Sequence, residues 1–230
     1  MMEAISGLGR VLVIARVSDT GVPLFVRTGQ VFNEKIVVFA TGENSRLALL
    51  SSVIHGVWAR KYSSTRTSDL QYTPSKCFET FPMPSVTSRM EELGGQLNDF
   101  RRNVMQKNQL GLTPLYGKVH DPDCEESEIL QLRRINGQID ETVKEAYGWT
   151  DLELGLGFHE TPKGVRLTVS EAVRVEILDR LLQLNFERHK EEERKGIWPP
   201  KRKSRKRAEA KKAAPPVMQD GLFPPEGTLF

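Results

Sequence analysis

Cysteine is nearly absent: Cys77 and Cys124 stand far apart in 230 residues and belong to no Cys-x-x-Cys or Cys/His spacing. That excludes a disulfide scaffold and a structural zinc site, and it makes a reducing cytoplasm the expected setting. No apolar run approaches the roughly 18 residues that a membrane helix needs, and the N-terminus carries no signal-peptide pattern. His55, His120, His159 and His189 are scattered without metal-ligand spacing. Gly7-Leu8-Gly9 precedes a strand in the wrong order for a nucleotide loop and reads as a turn. Glu193-Arg194-Lys195 ends like a nuclease metal motif, but it lies in a charged helical stretch with no upstream Pro-Asp strand. No residue is assigned to catalysis, to a cofactor or to a metal.

What is present is enough apolar material for a real core, at 38% of residues, beside a charged fraction of 27%. The net charge of +3 conceals an uneven distribution. From Arg10 to Lys76 nine basic residues face four acidic ones, a local +5. From Thr80 to Trp198 the balance is 16 against 21, a local −5; from Pro199 to Lys212 it is eight against one, a local +7. A polyanion is therefore expected near the N-terminal part, with the tail as a non-specific contributor.

Hydrophobic patterning predicts an α+β chain. Val11–Ala15, Leu24–Val26 and Ile36–Ala40 read as strands, separated by Asp19-Thr20-Gly21 and Asn33-Glu34-Lys35. A helix is expected from near Asn44 to near Tyr62, with Leu47, Leu50, Ile54 and Val57 on one face beside Trp58. Phe81-Pro82-Met83-Pro84 breaks regular structure. Ser88 with Glu91 reads as a capping box ahead of Met90, Leu93, Leu97, Phe100 and Val104; Asp123 with Glu126 reads as a second start, ahead of Leu132, Ile135, Ile139 and Val143. The last helix is expected from about Ser170 to Lys195, with Val173, Ile177, Leu181 and Leu184 inward. Three parts follow: a strand-rich unit over 1–84, a helical part over 85–198, and a disordered basic tail over 199–230 that is too poor in apolar residues to fold.

The most specific stretch runs from His55 to Pro84, HGVWARKYSSTRTSDLQYTPSKCFETFPMP. Trp58 on a helix precedes Ser63-Ser64, then Tyr72, then a Cys77-Phe78-x-x-Phe81-Pro82-x-Pro84 close. This order resembles the target-recognition region of MmeI-like adenine-specific restriction-modification methyltransferases, with TaqI-like C-terminal specificity domains. It is similar also to phage-defence methylases of BREX and DISARM type. Ala146–Leu152, AYGWTDL, and the helix after it resemble the C-terminal end of the same enzymes. Together the two matches extend over roughly residues 8–196.

The resemblance implies sequence recognition on double-stranded DNA for an adenine-N6 methyltransferase. It implies as partner a methylase catalytic domain or subunit, which would bind S-adenosylmethionine and the flipped base. That domain would precede residue 1. The Pro-Pro pairs at 199–200, 215–216 and 224–225 lack the flanking residues of an Asn/Asp-Pro-Pro-aromatic loop. Arg60, Lys61, Ser63, Ser64, Arg66, Tyr72 and Lys76 are the candidate DNA-binding residues, being cationic and hydroxyl donors suited to phosphate oxygens and base edges. A frame shared by enzymes with different targets cannot encode those targets, so Ser63, Ser64 and Tyr72 are expected to hold the loop or touch phosphate. Base readout is left to positions such as Arg16, Arg27 or the 105–122 connection. A stand-alone nucleic-acid-binding protein, or an inert remnant of a split methylase gene, remains open beside this reading.

Overall fold

The computed structural model describes residues 2–66 and 69–197. The chain begins with a short helix, α1 (Met2–Ile5), and the strands β1 (Arg10–Ala15), β2 (Val17–Ser18), β3 (Leu24–Arg27) and β4 (Ile36–Phe39). Two helices follow, α2 (Asn44–Ser51) and α3 (Val53–Tyr62), then a hairpin of β5 (Ser64–Arg66) and β6 (Asp69–Gln71) and the one-turn α4 (Pro74–Cys77). Beyond the proline break come α5 (Ser88–Lys107), α6 (Leu112–His120) and α7 (Ser127–Ala146), a second hairpin of β7 (Gly157–Thr161) and β8 (Gly164–Thr168), and α8 (Glu171–Arg194). This is the α+β class that the patterning predicts.

Three small antiparallel sheets are formed, in the orders β3-β1-β4, β2-β6-β5 and β7-β8. Strand β1 is central in the first and is buried on both faces. Its even-numbered Leu12 and Ile14 join Val37 and Phe39 in the main core, while Val11 and Val13 pack with Ile5 in a smaller cluster. That accounts for its continuous apolar run, since a strand covered on both sides has no polar face.

Residues Met1–Arg188 form one compact unit. Its main core is continuous across residue 84, running from Leu12 and Leu49 through Met90, Leu97 and Ile139 to Leu181. Pro84 is therefore a change of element type within one core. A second unit comprises His189–Phe230, of which residues 189–197 are described; they complete α8 and end past Gly196, at φ +68°. The expected tail disorder and its basic run fall outside the described residues. Among the described residues no helix is long and apolar enough to cross a membrane, and no group of three or more His, Cys, Asp and Glu could hold a metal ion.

Several local expectations change in detail. The helix expected from Asn44 to Tyr62 is broken at Ser52, whose backbone is extended at φ −68°, ψ 151°. The Ser52 hydroxyl caps α3 by accepting from His55 N, and the neighbouring Val53 N–H is taken by the buried carboxylate of Asp140, 2.6 Å away on α7. Glu91 does not close a capping box on its own helix. Thr87 caps α5, while Glu91 accepts from the backbone N–H groups of Asn44 (3.2 Å) and Ser45 (2.7 Å) and so caps α2 from outside. Phe100 is half-buried against the core, and its neighbour Arg101 turns inward as well; Arg101 is 3% exposed and donates to the Pro23 carbonyl at 2.8 Å and the Tyr116 hydroxyl at 3.4 Å. Helix α7 starts at Ser127 with no side-chain cap, so Asp123 does not serve as one. The 105–122 connection contains the end of α5 and the whole of α6.

Candidate nucleic-acid interface

The segment from His55 to Pro84 folds over an aromatic cluster. His55 and Tyr72 are 2% and 1% exposed, and their polar atoms meet: His55 Nε2 lies 3.1 Å from the Tyr72 hydroxyl. His55 Nδ1 lies 3.1 Å from the Leu50 carbonyl. A carbonyl can only accept, so Nδ1 carries the proton, Nε2 accepts, and the Tyr72 hydroxyl donates. Burial pushes the imidazole pKa down to about 4, keeping it neutral, and pushes the Tyr72 phenol well above its ordinary range. The His55 ring sits edge-on to Phe81 at 5.1 Å, and Phe39 contacts both Tyr72 and Phe78. Trp58 is 2% exposed against Tyr62 and Phe81.

Tyr72, Trp58 and Phe81 are thus core residues, and Phe78 is half-buried against the same core. Cys77 is buried, donating to the Thr73 carbonyl at 3.2 Å, and burial raises its thiol pKa. The hydroxyl of Ser63 accepts from Thr73 N at 3.3 Å and ties the two ends of the β5–β6 hairpin together, with Ser64 paired to Gln71 in the strand above it. His55 carries no metal-ligand spacing in the sequence, and its helical spacing from Trp58 does not reveal the tyrosine it meets.

Arg60, Lys61 and Lys76 are exposed, and Ser63 and Ser64 are half-buried. Arg60 and Lys61 occupy the last turn of α3, where cations complement the negative end of the helix dipole. Arg66 closes β5 in register with Asp69. Two cations from outside the 60–76 segment lie beside it. Hairpin β7–β8 brings Lys163 and Arg166 to this face. Lys163 is hydrogen-bonded to Asp19 and lies 2.6 Å from Asp69; Arg166 Nη2 lies 3.3 Å from the other oxygen of Asp19. Arg60 Nη2 reaches the Asp19 backbone carbonyl at 3.4 Å. The Lys163 hydrogen bond holds the Asp19 carboxyl below its usual range, burial and the nearby cations acting in opposite senses behind it.

The signal for that hairpin is present in the sequence. Phe158–Thr161 and Val165–Thr168 are rich in aromatic and β-branched residues around Pro162-Lys163, and Gly164 adopts φ +84°. A proline in place of an Asn-Gly turn disguised it. His120 receives the Leu167 N–H on Nδ1 at 3.2 Å and so fastens β8 to α6. Burial, aided by the Arg166 and Arg60 charges, lowers its pKa to about 4.

Arg16 lies exposed at the bend between β1 and β2, where its carbonyl accepts from Tyr72 N at 2.8 Å, and Arg27 lies exposed at the end of β3. Arg27 borders an open groove of about 560 Å³ whose wall includes Arg10, stacked at 3.9 Å over Phe25, and Arg102. The second stretch of resemblance, Ala146–Leu152, is a helix terminus. Gly148 at φ +76° reverses the chain after α7, Tyr147 stacks on Trp149 at 4.4 Å, and Arg180 of α8 clasps Asp151 through two bonds of 2.9 and 2.6 Å.

No family model matches the chain, and no curated protein matches it. Among solved structures, the chain is similar to the Type IIL restriction-modification enzyme MmeI in complex with DNA. The TM-score is 0.53 and the identity 18%, over 78% of this chain and 22% of that one. The chain therefore spans about a fifth of that enzyme's length, and the likeness is one of fold.

Proposed function

We propose that this chain recognises duplex DNA on behalf of an adenine-N6 methyltransferase of a restriction-modification or phage-defence system. The observation that carries the reading is the agreement between two independent signs. The motif-bearing segment 55–84 carries Arg60, Lys61 and Lys76 at exposed positions around an aromatic core, and the backbone follows part of a restriction-modification enzyme described in complex with DNA. In this reading Arg60, Lys61, Arg66 and Lys76 meet the DNA. Ser63 holds the loop, Tyr72 supports it from beneath, and Ser64 faces the strand edge. The reading gives S-adenosylmethionine and the flipped adenine to a methylase domain outside these 230 residues.

The test is selection of a randomised duplex library by the full chain. Enrichment of one short adenine-containing sequence supports target recognition. Retention of all duplexes alike would instead favour a stand-alone nucleic-acid-binding protein, and retention of none would sink both.

A further inference from the structure

The carboxylate of Asp19 occupies a point on which three cations converge. One oxygen is bonded to Lys163, the other faces Arg166 at 3.3 Å, and Arg60 reaches the same residue's carbonyl at 3.4 Å. Both arginine distances are longer than the roughly 2.7–2.9 Å of a strong charge-assisted bond. Among the described residues each of these guanidiniums makes one hydrogen bond, of the five N–H groups it can offer. Arg60, Lys163 and Arg166 outnumber Asp19 and Asp69, the carboxylates that face them. His120, beside Arg166, is kept neutral by burial and those same cations, so it adds no charge. The three cations come from two distant parts of the chain, α3 and hairpin β7–β8, and fixing them in one place is the work of the fold.

A tetrahedral phosphate presents the same oxygens as a carboxylate, more of them, and a full negative charge at any working pH. We infer that Arg60, Lys163 and Arg166 form a phosphate-binding site for the backbone of duplex DNA, in which Asp19 is the resident anion when DNA is absent. Arg166 and Arg60, with donors to offer, take the incoming phosphate. Lys163 stays with Asp69 and keeps the hairpin in place. This deepens the DNA reading and rests on it: hairpin β7–β8 becomes a second contact element beside the 60–76 segment, and Asp19 sets how strongly non-specific DNA is held.

Two variants that break the same ion pair from opposite sides test the site. Asp19→Asn keeps the shape and leaves Lys163 on Asp69, while removing the competing charge; Arg166→Gln removes the cation and leaves Asp19. Binding of the full chain to a labelled random-sequence duplex is followed by fluorescence anisotropy across a salt series, with melting curves as the check on folding. Asp19→Asn is expected to tighten binding roughly 3- to 10-fold, as removal of a repelling carboxylate beside a phosphate should. Arg166→Gln is expected to weaken binding and to reduce the slope of log K against log salt by about 0.9, the value for one phosphate contact.

If the pair serves only to hold the hairpin, both variants shift binding in the same direction or leave it unchanged. That result overturns the phosphate site and leaves the DNA reading standing wherever the wild-type chain binds. A wild-type chain that does not bind beside an Asp19→Asn variant that does supports the site in its strongest form. No binding by either would overturn the DNA reading and the site together. Should Asp19→Asn lose its melting transition, Arg60→Gln is compared with Arg166→Gln: equal losses of salt slope support the site, and no loss in either overturns it.

Discussion

A β-carbon placed on Gly94 would lie 1.9 Å from the carbonyl oxygen of Asn44, so helix α5 passes the first residue of α2 with no room for any side chain. The same approach lets Glu91, one turn earlier on α5, cap the N-terminus of α2. Gly94→Ala is expected to destabilise the protein by about 3 kcal/mol, the upper part of the usual range for overpacking, because the obstacle is backbone and cannot rotate away. At Gly95 the added carbon would meet only the Asn44 side-chain amide, at 3.4 Å. Gly95→Ala is expected to be neutral or to gain up to about 1 kcal/mol from helix propensity. Urea unfolding of the two variants checks this, and equal effects would contradict the packing argument.

Tyr72→Phe removes the donor that satisfies His55 Nε2 within the core. Leaving a buried acceptor without its partner costs about 1–3 kcal/mol. The folded variant is expected to bind DNA as the wild type does, since Tyr72 is 1% exposed. A loss of DNA affinity at temperatures well below its melting transition would return Tyr72 to the binding surface.

Acid is expected to weaken the fold through His55 and His120. Both have folded pKa values of about 4, below the ordinary 6.5, so the unfolded chain takes up the protons first. The stability they contribute is complete above pH 6.5 and is lost as pH falls toward 4, at roughly 1.4 kcal/mol per pH unit for each group. Asp140 acts in the opposite sense. Its pKa is raised by burial to about 7, against 3.8 ordinarily, so its contribution is complete below 3.8 and is lost as pH rises through 7. Asp140→Asn keeps an acceptor for Val53 N and removes the opposing titration. Melting temperatures between pH 7 and 4.5 should therefore fall more steeply for Asp140→Asn than for the wild type; parallel curves would rule out a perturbed Asp140.

Replacing Arg60 and Arg66 with alanine is expected to leave folding intact, because Arg60 is an exposed helix-end residue and Arg66 ends an edge strand. It is expected to weaken binding to all duplexes alike and to flatten the salt dependence by up to about two phosphate contacts. Relaxed preference at one base pair, with the salt slope unchanged, would instead assign one of the pair to base readout. Unchanged affinity would move the DNA surface toward Arg16 and Arg27.

The sequence by itself determined the elements whose periodicity is local. The runs at Val11, Leu24 and Ile36 became β1, β3 and β4, and the stripes from Met90, Leu132 and Ile177 became buried faces of α5, α7 and α8. The α+β class follows from these alone. The tertiary structure decided wherever one element supplies what another lacks. The break at Ser52 depends on Asp140, which lies 87 residues from the Val53 N–H it accepts. Glu91 caps a helix 46 residues away, and a capping-box pattern cannot say which helix it will serve. Among the proposed site residues, the positions of Arg60, Lys61 and Lys76 on exposed turns were legible from their polar surroundings. The inward turn of Tyr72 was not, because burial of a tyrosine depends on finding a partner for its hydroxyl, and His55 is brought to it by the fold. Lys163 and Arg166 join Arg60 for the same kind of reason: charges separated by about a hundred residues carry no local pattern, and it is the shared contacts with Asp19 and Asp69 in the folded chain that bring them together.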